Sequence, residues 1–370
     1  MLYTEDDGTL VGIGSTPGTT YENLYRVSDT AITPLVIHFT DLYWSYSSSV
    51  SIVGGIDPHD GHSTIYYALR NGVVQALPAS GSWQPRAMNG RGDELLVKSD
   101  VNQATILRAI FKNKSGTSQV VDFAPKLPIN GYAFYDVGID DDGNLGFFLN
   151  VGQPDGSGWM GVYIKRPTDN EPILIAESGR NAYGPVWSSA ANVETFQHID
   201  RGVYVGGDTV YFAGAEWPTP IPTNPGLARH NIWTEGVYRA DLTGVSRTST
   251  QRFYDVAPRY TDAWFRDIRP IAASKTLGLA FCSMTAGLIS VSQGWFVFLG
   301  IISPDGTRQT VLNIGDPLRD GWFYRVGTPS GWTTVSAQGA FVVAVQLDNA
   351  GSPYGDPADV RFAMIQPNGK

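Results

Sequence analysis

One unit recurs along this chain and limits what it can become: a turn rich in Gly or Asp, an apolar strand, a variable loop, a second strand often ending in Tyr-Arg or Tyr-Lys, and a third apolar strand. A single unit cannot bury its apolar face, whereas neighbouring copies stacked together can, so a repeat architecture is expected. The clearest copy runs Asp141-Asp142-Gly143-Asn144-Leu145-Gly146-Phe147-Phe148-Leu149, then Gly161-Val162-Tyr163-Ile164-Lys165, then Ile173-Leu174-Ile175-Ala176. A second runs Gly207-Asp208-Thr209-Val210-Tyr211-Phe212-Ala213, Gly236-Val237-Tyr238-Arg239 and Arg252-Phe253-Tyr254-Asp255-Val256. Weaker copies open at Gly8, near Ser49, at Gly92, near Lys275 and at Gly339.

These seven starts lie about 40 to 50 residues apart in the first half and about 65 apart in the second, against the 40 to 50 of ordinary propeller blades. β-Branched and aromatic residues alternate through the strands, and no dozen residues show a 3.6-residue apolar period. Asp-Gly pairs at Asp7, Asp142, Asp155 and Asp305 supply the positive φ angles of tight antiparallel hairpins. The pattern predicts an all-β fold: a single β-propeller domain over residues 1–370, with about seven irregular antiparallel blades (six or eight also fit) and longer loop insertions in 150–335. The seventh unit ends at Phe362-Ala363-Met364-Ile365-Gln366, one outer strand short. Leu2-Tyr3-Thr4 is the candidate in this chain to complete it; otherwise a partner chain pairs with the open edge.

The phrase Ile139-Asp140-Asp141-Asp142-Gly143-Asn144-Leu145-Gly146-Phe147, followed by Gly161-Val162-Tyr163, resembles bacterial propeller-type repeats written Asn-x-x-Gly-x-x-Ala-Phe before a Gly-(Ile/Val)-Tyr strand. Asp140 stands where that family has Asn, and Gly146 where it has Ala. In the copy ending Ala280-Phe281, Ser274 replaces Asn and Leu277 replaces Gly. The resemblance covers the middle of the chain and implies a blade, not an activity.

A formal net charge of −9 argues against nucleic acid as a partner, because binding phosphate backbones needs clustered Lys and Arg. Cys282, the single cysteine, permits no intrachain disulfide and reads as a buried strand residue rather than a reactive thiol. The first residues lack a basic stretch followed by an apolar one, and no segment is apolar for 18 residues. The expectation is assembly in a virion or the cytoplasm rather than classical secretion, without membrane insertion.

Candidate chemistry is sparse. Asp140-Asp141-Asp142 with Asn144, and Glu5-Asp6-Asp7, offer oxygens to Ca²⁺ but lack the twelve-residue spacing and closing Glu of a calcium loop, so they read as hairpin turns; no cofactor is expected. His59 and His62 in Pro58-His59-Asp60-Gly61-His62 suit a metal or a general base, but Asp57-Pro58 and Asp60-Gly61 alone specify a solvated turn. His38, His198 and His230 are isolated in sequence. Channel carboxylates of a glycoside hydrolase or lyase would come from Asp93, Glu94, Asp136, Glu194, Asp200, Asp262 or Asp267. Neither a Gly-x-Ser-x-Gly elbow nor a phosphate-binding Gly-x-x-x-x-Gly-Lys-Ser/Thr is present, and Arg91-Gly92-Asp93 reads as a turn without an adhesion role.

Aromatic residues remain, with 10 Trp and 18 Tyr. Tyr43, Trp44, Trp159, Trp217, Trp233 and Trp322 sit among Gly, Pro and Ser and read as loop residues able to stack on sugars or anchor protein interfaces; the alternative is that they fill gaps between blades. The functional expectation is a non-enzymatic binding or scaffold propeller engaging a glycan or protein surface, for instance in a phage tail or virion.

Overall fold

A computed structural model of the chain describes residues 2–4, 10–15, 22–27, 31–45, 50–57, 59–70, 73–78, 82–97, 101–102, 108–123, 131–152, 158–177, 196–206, 209–216, 235–241, 251–255, 263–274, 278–287, 294–303, 305, 307–313, 322–324, 333–335, 341–347 and 360–365. Among these the regular structure is all strand, in antiparallel sheets whose neighbours mostly follow chain order. No helix among the described residues is long and apolar enough to cross a membrane.

The first sheet joins β1 (Leu2–Thr4), β2 (Leu10–Ser15), β3 (Glu22–Val27), β4 (Ile32–Ser45), β5 (Ser51–Ile56), β6 (Thr64–Arg70) and β7 (Val73–Leu77). The long β4 divides it. Residues up to Phe39 pair with β3, whereas Thr40 onward pairs with β5, so two four-stranded meanders share one strand. The third unit orders β8 (Gln84–Met88), β9 (Glu94–Val97), β11 (Arg108–Lys112) and β12 (Ser118–Asp122). The fourth orders β13 (Gly131–Ile139), β14 (Leu145–Gly152), β15 (Gly158–Lys165) and β16 (Ile173–Glu177), with β10 (Val101–Asn102) beside β13.

A fifth unit holds β17 (Phe196–Gly206), β18 (Thr209–Glu216), β19 (Glu235–Asp241) and β20 (Gln251–Asp255). The sixth holds β21 (Ala263–Ser274), β22 (Gly278–Gly287), β23 (Gly294–Ile302) and β24 (Arg308–Asn313). In the last, β25 (Trp322–Tyr324) and β26 (Thr333–Val335) share one edge of β27 (Phe341–Leu347), and β28 (Val360–Ile365) takes the other.

Successive units meet face to face because their second strands are apolar on both sides. In β14, Leu145, Phe147, Leu149 and Val151 join Leu95, Val97 and Val121 of the third unit in one core cluster. Phe148 turns the other way and joins Val162, Ile164, Val210, Phe212 and Tyr238, binding the fourth unit to the fifth. Phe123 packs edge-on against Phe147 and Tyr163, with ring centroids 4.9 and 5.3 Å away. Similar clusters join the first unit to the second through Val11, Leu24, Val53 and Leu69, and the second to the third through Ile52, Tyr66 and Met88. Period-two alternation thus buries both faces, which is why these strands read as continuous apolar runs.

First strands adjoin first strands: β8 lies beside β13, β13 beside β17, β17 beside β21, β21 beside β26, and β26 beside β1. The N-terminal strand therefore does not complete the seventh unit. Leu2–Thr4 pairs Leu2↔Gly12, Tyr3↔Val11 and Thr4↔Leu10 as the first strand of the first unit. A local hairpin closes a shorter loop than pairing with the distant β28 would, and it costs less chain entropy.

Candidate functional site

The turns that open the third and fourth units share one geometry. The Asn89 amide donates to the Asp93 carbonyl (3.1 Å) and the Gly92 amide to the Asn89 carbonyl (3.0 Å); the Asp140 amide donates to Asn144 and Gly143 to Asp140, both at 3.1 Å. Gly92 and Gly143 have φ of 86° and 85°, the left-handed step that follows a type I turn in a three-residue hairpin loop. In both turns the side chain of the first residue caps free amides: Asn89 Oδ1 accepts from Arg91 (3.1 Å) and Asp93 (2.9 Å), and Asp140 Oδ1 accepts from Asp142 (3.0 Å) and Asn144 (2.8 Å).

The side-chain pair within each turn is reversed. Asn89 Nδ2 donates to Asp93 Oδ2 at 2.9 Å, whereas Asn144 Nδ2 donates to Asp140 Oδ2 at 2.8 Å. The outer turn Asn113-Lys114-Ser115-Gly116-Thr117 repeats the form, with Gly116 at φ 88° and Asn113 Oδ1 accepting from Ser115 and Thr117.

Neighbouring turns are stitched together across units. Asn89 Nδ2 donates to the Asp140 carbonyl at 3.0 Å, and the Gly90 amide to Asp141 Oδ1 at 2.7 Å. Arg70, at the end of β6, donates to the Gly90 carbonyl. Asp93 Oδ1 accepts from the Lys114 amide (3.1 Å), and its Oδ2 pairs with Arg91 (3.0 Å). Burial pushes the Asp93 carboxyl up, but the Asn89, Lys114 and Arg91 donors outweigh it and hold the group below the usual carboxylate range. Asp140 goes the other way: burial raises it above that range, the Asn144 donors opposing and Asp142 adding to the shift. These carboxylates serve as acceptors for turn amides, which makes the cluster a joint between units.

Lys112 pairs with Glu94 at 3.2 Å, so Glu94 is part of the same scaffold. Lys165, 5% exposed, donates to the Arg166 carbonyl at 3.3 Å, and burial lowers its ammonium pKa against the pull of Asp169.

The histidine pair lies in an exposed turn. Asp57 Oδ1 accepts the His59 amide, and Asp60 Oδ1 the amides of His62 and Ser63, each at 2.8 Å. The Ser63 hydroxyl also donates to Asp60 Oδ2, and this bond, followed by the His62 and Ser63 amides, holds the Asp60 carboxyl down at about 2. Both histidines are engaged here through their backbone amides, and no group of three or more His, Cys, Asp or Glu suited to a metal occurs among the described residues.

Of the channel candidates, Asp136 lies on β13, Asp200 on β17 and Asp267 on β21, the first strands of three consecutive units. Asp136 and Asp200 fall at register shifts of their ladders. Glu194 and Asp262 lie outside the described residues, as do Glu5-Asp6-Asp7, Trp217, Trp233 and His230.

Four aromatic candidates are strand residues rather than loop residues. Tyr43 and Trp44 on β4 pair with Gly54 and Val53; Trp159 on β15 pairs with Val151, and Trp322 on β25 with Leu347. Glycines close by, such as the pair Gly152↔Gly158, made these stretches read as loops.

Sequence reading missed Asn89. Asn89-x-x-Gly92 and Asn113-x-x-Gly116 carry the Asn-x-x-Gly spacing itself, with the Asn that Asp140 replaces in the fourth unit.

No family model and no curated protein matches this chain. Among solved structures it is similar to puromycin hydrolase (12% identity, 78% of this chain and 38% of that one, TM-score 0.40). It is also similar to the Trypanosoma rangeli sialidase in complex with sialic acid (10%, 98% and 57%, 0.39). A third is the WD40 domain of SCAP from fission yeast (11%, 96% and 77%, 0.38). The alignment covers less than two thirds of the length of the hydrolase and the sialidase. At this level of likeness the fold is argued from strand order alone.

Proposed function

We propose that the chain is a seven-bladed β-propeller serving as a non-enzymatic binding or scaffold module. The observation that carries the fold is the adjacency of first strands, which runs from β8 through β26 and on to β1, together with the separate apolar cluster between each of the first five units. Asp93 and Asp140 spend their oxygens on turn donors, which favours a structural role for these two carboxylates over a catalytic one.

Its ligand is a glycan or a protein surface met by aromatic residues, with Trp217 and Trp233 in the longest insertion and Tyr43, Trp44, Trp159 and Trp322 as further contacts. Among the described residues no strand pairs with the outer edge of β28, and such an edge suits strand addition in an assembly such as a virion. A glycan array and a size-exclusion profile test this. Binding that falls in a Trp217→Ala, Trp233→Ala variant, or self-association, supports the reading; a monomer without glycan signal contradicts it.

A glycoside hydrolase is the second reading, favoured by Asp136, Asp200 and Asp267 on consecutive first strands. Hydrolysis of a polysaccharide that stops in the Asp200→Asn variant would establish it.

A further inference from the structure

β7 is the outer strand of the second unit and the last strand of its sheet, and among the described residues nothing pairs with its outer edge. Such an edge carries a row of backbone donors and acceptors that can template pairing with another chain, and proteins blunt it with charge, proline or a bulge. The other outer strands follow that rule. β12 carries Asp122, β16 Glu177, β20 Arg252 and Asp255, β24 Arg308 and β28 Arg361, and the outer part of β4 holds Pro34. β7, Val73-Val74-Gln75-Ala76-Leu77, has neither charge nor proline, and its ladder with β6 runs without a register shift. Val73 is 64% exposed, and Gln75 and Ala76 are exposed beside it.

The register decides which backbone groups face outward. Arg70 pairs with Val73 across a two-residue connection, and the closing pair of such a hairpin is hydrogen-bonded. Bonding alternates along an antiparallel pair. Val73, Gln75 and Leu77 therefore direct their backbone groups at β6, whereas Val74 and Ala76 direct theirs at the open edge. Arg70, the charge just before the strand, is tied to the Gly90 carbonyl.

We propose that β7 pairs antiparallel with the β7 of a second copy of this chain, about a two-fold axis at Gln75. That register sets Val74 opposite Ala76 of the second copy and Ala76 opposite its Val74, so the outward groups meet as hydrogen-bonded pairs. Gln75 faces Gln75 of the second copy, and the exposed Val73 faces Leu77 of the second copy across the seam. A second copy suits this edge because each chain has a net charge of −9, and a charge-free strand lets two such chains meet without setting like charges opposite each other. The inference deepens the scaffold reading above and rests on it for the use of the pairing. A seam of five residues lies at the small end of interface sizes, so the dimer forms at high protein concentration.

Sedimentation equilibrium of the full chain tests this, with Gln75→Lys, Ala76→Pro and, on the exposed outer strand β12, Gln119→Lys, each checked by thermal unfolding. Gln75→Lys opposes like charges at the axis, and Ala76→Pro removes an outward N–H that the ladder with β6 does not use. Expected is a monomer–dimer equilibrium in the unmodified chain, weakened about tenfold or more by either β7 substitution, because each acts twice at a two-fold seam, and unchanged by Gln119→Lys. In a Cys282→Ala background, Gln75→Cys should cross-link to a dimer on mild oxidation, since opposite residues of a non-hydrogen-bonded pair bring their Cβ atoms close, and Gln119→Cys should not. A dimer that survives both β7 substitutions overturns the β7 seam and leaves self-association through another surface standing. A chain that stays monomeric at every concentration overturns the inference, and the glycan array then decides the broader reading separately. A monomer that instead binds an extended peptide of alternating Val and Thr assigns the edge to a different partner, which also overturns the second copy as its occupant.

Discussion

Asn89 Nδ2 donates to the carbonyl of Asp140 at 3.0 Å, joining the residues that occupy the same turn position in adjacent units. Asn89 is fully buried and serves both its own turn and its neighbour's. Asn89→Ala leaves the Arg91 and Asp93 amides and the Asp140 carbonyl without these partners. The expected loss is about 2 to 4 kcal/mol of unfolding free energy, the sum of a few buried groups at 1 to 3 kcal/mol each discounted for relaxation. Urea denaturation measures it.

The reversed pairs Asn89/Asp93 and Asp140/Asn144 predict a compensating exchange. Asp140→Asn sets two amide groups against each other and destabilises; adding Asn144→Asp recreates the arrangement of the third unit. A double-mutant cycle should give a favourable coupling of about 1 to 2 kcal/mol, and additive single effects would contradict the pairing.

Acid should weaken the fold partly through Asp93. Its folded pKa lies below the unfolded value, so the unfolded chain binds more protons between the two, and the stabilisation present above the ordinary carboxylate value of 3.8 is lost as pH falls through the folded value. Asp140 has the opposite sign: its raised folded pKa makes ionisation a cost at neutral pH that protonation relieves. Stability of Asp93→Asn, measured in urea from pH 6 downward, should therefore fall less steeply below about pH 4 than that of the unmodified chain.

Gly54 on β5 has no room for a side chain, because an added Cβ would lie 2.6 Å from the Tyr66 ring, itself buried in the core between the second and third units. Gly54→Ala must displace that ring, an overpacking change costing about 1 to 3 kcal/mol. Gly61, at φ 69° with nothing within 4 Å, should cost only about 1 kcal/mol on change to Ala. Thermal melts of the two variants test this order.

Each repeat start legible in the sequence falls at the second strand of a unit: Gly8 precedes β2, Ser49 β5, Gly92 β9, Asp141 β14, Gly207 β18, Lys275 β22 and Gly339 β27. β9 and most of β14 are buried on both faces, so their apolar runs announce themselves. First strands did not, because charge and bulges break their alternation, as His198, Asp200 and Arg201 do in β17. The polar joint was half visible: Asp140 was picked out as a turn, but Asn89 was hidden behind Arg91-Gly92-Asp93. Its partnership with Asp140 spans 51 residues, a contact that local spacing does not encode.

Spin labels on Tyr3 and Thr334 in a Cys282→Ala background test the ring most directly, since β1 and β26 are neighbours and Cys282 is the only competing thiol. Sheets pack about 10 Å apart, so a closed ring predicts a pulsed-dipolar distance within about 20 Å, two such spacings. An open row of seven sheets would separate its ends by roughly 60 Å, and a distance in that range would contradict the propeller.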